Sequence, residues 1–445
     1  MRKSPFRNCR NHRFAQALWC FSVRCWLLPV LFFSIGVPAH AYTGKVVDAS
    51  NSRPIAQAIV TLGDRVVRTD ADGRFDITGP GDEIGFRAYG YLRTWVPVTR
   101  FQGGPRDIAL TPFRPKGLYL SFYGVENRML REGALAVIRN RGMNAVVIDV
   151  KGDRGMISYK SSVALAAQVG AQRTTTIRDP EQLLDRLHRE NLYVIARIVV
   201  FKDDRLAAAR PDLAIKRIGG APYKDLEGLG WVDPFNKEVW DYNAAIAVEA
   251  ARLGFDEIQF DYVRFPDADG LAFSLANTMA NRLRAISGFL GEARKQLVPY
   301  NVFLAADIFG YVMWNRDDTH IGLRLEEISQ VVDYISPMLY PSCFRHGIPG
   351  QPSPVAHPYE IVLRSLQNGA ERAGVAAIRF RPWLQAFRDY AFDNRRYGEA
   401  EIAAQIRAAE TFGSDGWMLW NPRNVYFGGD ADPASAKLTT PSRAC

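Results

Sequence analysis

The sequence predicts an α/β protein, a (β/α)8 TIM barrel preceded by an N-terminal all-β sandwich. Three observations carry this. The 445-residue chain is too long for one ordinary domain, and it is 47% hydrophobic. Residues 42–113 read as short alternating runs with turn signals and no helical period. From about residue 114, apolar strand-like runs alternate eight times with helical stretches, the pattern of a parallel sheet.

The first element is a leader. Residues 1–41 hold six basic residues and no acidic ones, then the apolar run LLPVLFFSIGV and Ala39-His40-Ala41. That order predicts a Sec-type signal peptide cleaved after Ala41 and a periplasmic or secreted mature protein. The run is short for a spanning helix, which needs ~20 apolar residues, so no stable membrane insertion is expected after cleavage. The leader takes most of the basic excess with it, leaving +3 of the whole chain's +9. A nucleic-acid partner is therefore not expected. Cys343 and Cys445 remain after the leader is lost, and an oxidising compartment permits a bridge between them. The spacing of His and Cys offers no metal-ligand motif, and neither a metal nor another cofactor is expected.

In residues 42–113, Asp72-Gly73 between VVRT and RFDI marks a hairpin. Asp70, Asp72 and Asp76 read as turn formers. GKVVD, PIAQAIVTL and TDADGRFDI resemble the carboxypeptidase regulatory-like (transthyretin-like) domain, which implies a seven-stranded sandwich without chemistry of its own. TPFRPKG is the expected linker to the barrel, residues 114–430, with 431–445 a C-terminal tail.

The barrel strands are expected in GLYLSFY, NAVVIDVKG, YVIARIVVF, DEIQFDYVRF, VFLAADIFG, DYISPMLYP, IRFRPWLQAF and DGWMLWNP. Barrel enzymes build their sites at the C-terminal strand ends. Side-chain alternation then aims Asp149, Asp261 and Asp307 into one mouth, with Lys151 sharing the phase of Asp149. Such a group of acids suits glycoside hydrolysis, in which one carboxyl donates a proton and the other attacks the sugar or activates water. Lys151, Arg197, Arg264, Tyr340, Trp383, Gln385, Trp420 and Asn421 are the candidate substrate contacts, the aromatics as platforms for sugar rings. Trp314 is a further candidate ring. Arg264 is expected to orient Asp261 or to touch a sugar hydroxyl. Ion pairing of Asp149 with Lys151 or Arg197, and of Asp261 with Arg264, is the structural alternative.

KGLYLSFYGV, NAVVIDVKGDRG, VIARIVVFKD, WVDPFNKEVWDYN, GFDEIQFDYVRFPD and DYISPMLYPS together resemble the bacterial DUF4015 family, described as a putative glycoside hydrolase domain, over about residues 116–422. The resemblance implies kinship with amylase-type barrels, with Asp261 as nucleophile and Asp307 as proton donor. Glu is the usual donor in that pattern, so Asp149 stands as a substitute. Non-catalytic glycan binding and an envelope structural role are the competing expectations.

Overall fold

The computed structural model describes residues 41–427. Seven strands open it: β1 Ala41–Asp48, β2 Ile59–Leu62, β3 Arg65–Arg68, β4 Arg74–Thr78, β5 Glu83–Arg87, β6 Thr94–Pro97 and β7 Arg106–Leu110. They form two sheets, ordered β4-β1-β7 and β3-β2-β5-β6. Val46, Val60, Phe75, Ile84 and Phe86 fill the space between them. The Asp72-Gly73 turn is closed by Asp70, whose Oδ1 accepts the amides of Asp72 (3.0 Å) and Arg74 (2.7 Å). The carboxylate serves the turn, as the sequence predicts.

Eight parallel strands then close a barrel: β8 Lys116–Leu120, β9 Ala145–Lys151, β10 Tyr193–Val199, β12 Glu257–Asp261, β14 Phe303–Phe309, β15 Tyr334–Met338, β16 Trp383–Gln385 and β17 Trp417–Trp420. β17 pairs with β8 to complete the ring. Two short strands, β11 Lys216–Arg217 and β13 Leu271–Ala272, pair as a ribbon outside it. The helices are α1 Phe122–Glu126, α2 Arg128–Asn140, α3 Ala164–Gln168, α4 Pro180–Arg189, α5 Asp204–Ala209, α6 Lys237–Leu253, α7 Met279–Leu297, α8 Leu325–Val331, α9 Pro358–Ala373 and α10 Glu399–Phe412. No helix among the described residues is long and apolar enough to cross a membrane.

Local chemistry sets the helix ends. Asn127, Asp179, Asp203 and Thr278 accept an amide of the first turn of α2, α4, α5 and α7. Gly254, Gly374 and Gly413 close α6, α9 and α10 in the left-handed conformation. The strands bury both faces, as parallel sheets do. Val146, Ile148, Ala196, Ile198, Ile258 and Phe260 meet the helices. Their neighbours Ala145, Val147, Ile195, Phe303 and Ala305 fill the barrel with Tyr119, Tyr193, Tyr334 and Trp383.

One strand breaks this alternation. Arg197 of β10 pairs with Asp149, but the next residue, Ile198, pairs with Lys151. The extra residue, Val150, is a β-bulge, and a bulge reverses the phase beyond it. Asp149 therefore stays inside while Lys151 turns outward.

The sandwich covers the N-terminal end of the barrel. Arg87 donates to Asn301 Oδ1 at 3.0 Å, and Asn301 Nδ2 donates to the Thr94 carbonyl at 3.2 Å. Arg93 reaches the Phe255 carbonyl at 3.0 Å and Asp256 at 3.3 Å. The Gly90 amide donates to Tyr334 Oη at 3.2 Å, and Phe113 packs on Tyr193 with ring centroids 5.6 Å apart. Gly85 is required at this contact, because a Cβ there would lie 2.6 Å from the Asn301 side chain. Beneath the sandwich, Arg381 bridges Glu257 (2.5 Å) and Asp415 (2.8 Å), and Tyr193 Oη donates to Glu257 at 2.9 Å. The sequence reading did not anticipate this buried network.

Candidate active site

The C-terminal ends of β8, β9, β10, β12 and β14 bring Tyr119, Asp149, Arg197, Asp261 and Asp307 together, all nine-tenths or more buried. Arg197 is the centre. Its Nη1 donates to Asp149 Oδ1 at 2.6 Å, its Nε to Asp261 Oδ2 at 2.9 Å, and its Nη2 also bonds Asp261 Oδ2. Asp149 Oδ2 accepts from Tyr119 Oη at 2.6 Å and from the Phe122 amide at 3.2 Å. Burial raises the Asp149 carboxyl above its ordinary range, and Arg197 and Tyr119 oppose the rise.

Asp261 is held from its other side by the chain itself. The next amide, that of Tyr262, donates to Asp261 Oδ1 at 2.6 Å. Tyr262 reaches this geometry with φ = 47°, a left-handed backbone that is strained for a bulky residue. Lys202 lies 5.0 Å over the Tyr262 ring and Arg264 5.1 Å over it.

Asp307 differs from its neighbours. Trp383 Nε1 donates to its Oδ1 at 2.7 Å, but its Oδ2 is buried with no hydrogen-bond partner. Arg197 Nε stands 3.9 Å from that oxygen, beyond hydrogen-bond reach. Burial, and then the nearby Asp261 charge, push the Asp307 carboxyl well above the usual range. Asp261 Oδ2 and Asp307 Oδ2 both lie near one guanidinium nitrogen, at 2.9 and 3.9 Å. They are thus at most ~7 Å apart, which does not exceed the span over which glycosidases place two carboxyl groups.

Several expected contacts lie elsewhere. Lys151, turned out by the bulge, pairs with Asp203 at 2.7 Å and donates to Asn243 of α6 at 2.8 Å. Arg264 makes no ion pair with Asp261. It donates to the Phe265 carbonyl at 3.0 Å and lies 5.1 Å over Trp231. Arg197 fills the role the sequence reading gave to Arg264. Gln385 ties down the segment after β15, accepting from the Ser342 amide at 3.0 Å and donating to Ser342 Oγ at 2.7 Å. Asn421 ties its own loop to the end of β16, donating to the Val425 carbonyl at 2.6 Å and the Ala386 carbonyl at 2.7 Å.

The aromatic candidates reach the site but show little face to solvent. Trp383 and Tyr340 are each 1% exposed. Trp420 is stacked on Tyr119, with centroids 3.9 Å apart. Trp314 is packed on the core and donates to Ser365 Oγ at 2.9 Å. Tyr119, which the sequence reading missed, lies on the inner face of β8. A tyrosine inside a strand is too ordinary to announce a contact with a carboxylate. Cys343 is disulfide-bonded. Its expected partner, Cys445, lies outside the described residues, as do the leader and most of the C-terminal tail.

The DUF4015 family model, described as "putative glycosyl hydrolase domain", matches residues 117–426, which spans every strand of this barrel. The chain belongs to this family. Among solved structures, the PgaB (BpsB) glycoside hydrolase domain from Bordetella bronchiseptica is 13% identical with a TM-score of 0.51, over 74% of this chain and 98% of that one. At that identity the likeness shows the fold. A hypothetical protein from Ruminiclostridium thermocellum is 36% identical over 43% of this chain and 96% of its own, with a TM-score of 0.39. The catalytic domain of a β-amylase from Paenibacillus polymyxa is 10% identical with a TM-score of 0.45, over 70% of this chain and 94% of that one. A search of curated proteins found no match. The second domain is thus a glycosyl hydrolase-like barrel.

Proposed function

We propose that the protein is an exported glycosidase that cleaves a polysaccharide or oligosaccharide with Asp261 and Asp307. The observation that carries this reading is the contrast between them. Asp261 is gripped by Arg197 and the Tyr262 amide, as a carboxylate is. Asp307 keeps one bare oxygen in an environment that favours its protonated form. Two acids whose surroundings divide them in this way match the division of labour in glycoside hydrolysis.

In this reading Asp307 Oδ2 gives its proton to the glycosidic oxygen as the bond to the leaving sugar breaks. Asp261 attacks the anomeric carbon. Water then releases the glycosyl-enzyme, with Asp307 taking back a proton. Arg197 orients Asp261 and offsets the Asp149–Asp261 repulsion. Asp149 positions Arg197, and Trp383 positions Asp307.

The test is reducing-end release from bacterial exopolysaccharides and cell-wall glycans by the mature protein, beside Asp261→Asn and Asp307→Asn. Cleavage that either substitution abolishes supports the reading. A second reading, glycan binding without hydrolysis, draws on Arg197 occupying both Asp149 and Asp261. Binding without cleavage, unchanged in Asp261→Asn, selects it. Export is tested by cell fractionation and sequencing of the mature N-terminus, which is expected to begin at Tyr42.

A further inference from the structure

We propose that Tyr340 is a third catalytic group of this site, and that its hydroxyl, not its ring face, hydrogen-bonds the sugar at the bond to be cleaved. The inference rests on the glycosidase reading and adds a substrate contact to it. Tyr340 lies just past β15, and its side chain fills the barrel beside Trp383, Trp420 and Tyr119. The residue is 1% exposed. A buried hydroxyl is costly unless it is hydrogen-bonded. Other tyrosines inside the barrel meet that demand within the protein. Tyr119 Oη donates to Asp149 at 2.6 Å, Tyr193 Oη donates to Glu257 at 2.9 Å, and Tyr334 Oη accepts the Gly90 amide at 3.2 Å. Tyr340 Oη has no hydrogen-bond partner among the described residues. Unlike the partnerless hydroxyl of Tyr242, it is not sealed inside the core.

The acids beside it do not use it either. Burial, and then the Asp307 and Asp261 charges, push the Tyr340 hydroxyl well above its ordinary range, so it stays neutral and can both donate and accept. Asp261 already has the Tyr262 amide on Oδ1 and Arg197 on Oδ2. Asp307 has Trp383 on Oδ1, and its bare Oδ2 is the atom that faces the leaving oxygen in the glycosidase reading. The phenol thus stands within electrostatic reach of both reacting acids with its own hydrogen bonding unspent. A sugar bound at these acids brings the hydroxyl groups that take it up. The ring is held in place for this. Phe387 meets it edge-on, with centroids 5.4 Å apart at 76°. Just before it, the Leu339 amide donates to the Trp383 carbonyl at 3.0 Å, and its own carbonyl accepts the Cys343 amide at 2.8 Å. A hydroxyl fixed in this way needs little reorganisation as charge develops in the transition state.

The experiment compares the full-length protein with Tyr340→Phe, which keeps the ring and its contact with Phe387 and removes only Oη. Because Oη has no protein partner, the melting temperature should stay within ~2 °C. Reducing-end release from bacterial exopolysaccharides and cell-wall glycans should fall ~10²-fold in kcat/KM. Calorimetric titrations add the same glycans, and cello-, chito- and malto-hexaose, to Asp261→Asn and to Asp261→Asn/Tyr340→Phe. The second protein should bind ~3–10-fold more weakly. Cleavage that Asp261→Asn abolishes and Tyr340→Phe leaves unchanged overturns the Tyr340 contact and keeps the hydrolase reading. A larger melting shift also overturns it, because the hydroxyl then serves the fold. Weakened binding with no cleavage by the unmutated protein keeps the sugar contact and removes the hydrolase reading. Neither cleavage nor binding of any of these glycans overturns both.

Discussion

Removing the Arg197 guanidinium should cost stability steeply, and the cost should depend on pH. Arg197→Met keeps most of the side-chain volume but leaves Asp149 and Asp261 without their shared cation, and both are at least 93% buried. Breaking a buried ion pair by deleting one partner costs about 3–5 kcal/mol. For a barrel of the matched 117–426 span, at ~2.1 cal/mol/K of unfolding entropy per residue, that is a melting shift of ~5–8 °C. The donors that remain, Tyr119 Oη and the Phe122 amide on Asp149 and the Tyr262 amide on Asp261, favour the lower end. The sign with pH follows from linkage. Burial raises the Asp149 carboxyl, and without the guanidinium its largest opposing influence is gone. The contribution of Asp149 is then fully present below the unfolded value of ~3.9 and is lost as pH rises through its folded value. The gap between wild type and variant should therefore be small near pH 4 and should widen toward neutrality. Thermal denaturation followed by circular dichroism across that range measures it, and Asp261→Asn in the same background should recover part of the loss. A melting shift under ~2 °C at neutral pH, or an equal shift at both ends of the range, would refute the charge argument.

Three further outcomes are expected. Asp307→Asn, whose amide oxygen can still accept from Trp383 Nε1, should abolish cleavage by ~10²–10⁴-fold while keeping the fold. Because the Asp307 carboxyl is raised, its stabilising share is lost as pH rises through its folded value. The variant should therefore gain on wild type toward alkaline pH in denaturant titrations. Lys151→Met should destabilise by ~3–5 kcal/mol, because it strands Asp203, yet leave the KM for any cleaved glycan unchanged. Gly85→Ala, which drives a Cβ into Asn301, should cost ~1–3 kcal/mol and open the sandwich–barrel contact to limited proteolysis.

The barrel and the phase of its acids were legible because each follows from a period-two rule applied to an apolar strand. Ile258 and Phe260 face the helices while Gln259 and Asp261 face inward, and Ala305 and Asp307 follow the same logic. The rule failed where the backbone broke it. Val150 adds a residue to β9, and nothing in NAVVIDVKG marks a bulge, so Lys151 was expected on the wrong face. The partner of Asp261 was misread because proximity in sequence favoured Arg264. Register across β10 and β12 instead supplies Arg197, 64 residues away. Burial of the sugar-facing candidates was equally hidden. Trp383 and Trp420 read as platforms, but they spend their surfaces on Asp307 and Tyr119.

The lid that the first seventy described residues place over the base of the cylinder has a practical corollary. Tyr193, Phe303 and Tyr334 form that base, and Arg381 is already committed there to two acids. Cutting the chain at the Thr111–Gly117 joint would leave an aromatic floor facing water and would take the Gly90 donor from Tyr334. Expression trials that trim the protein to its family-matched segment should therefore yield aggregates, whereas those starting near Tyr42 should yield a well-behaved monodisperse product.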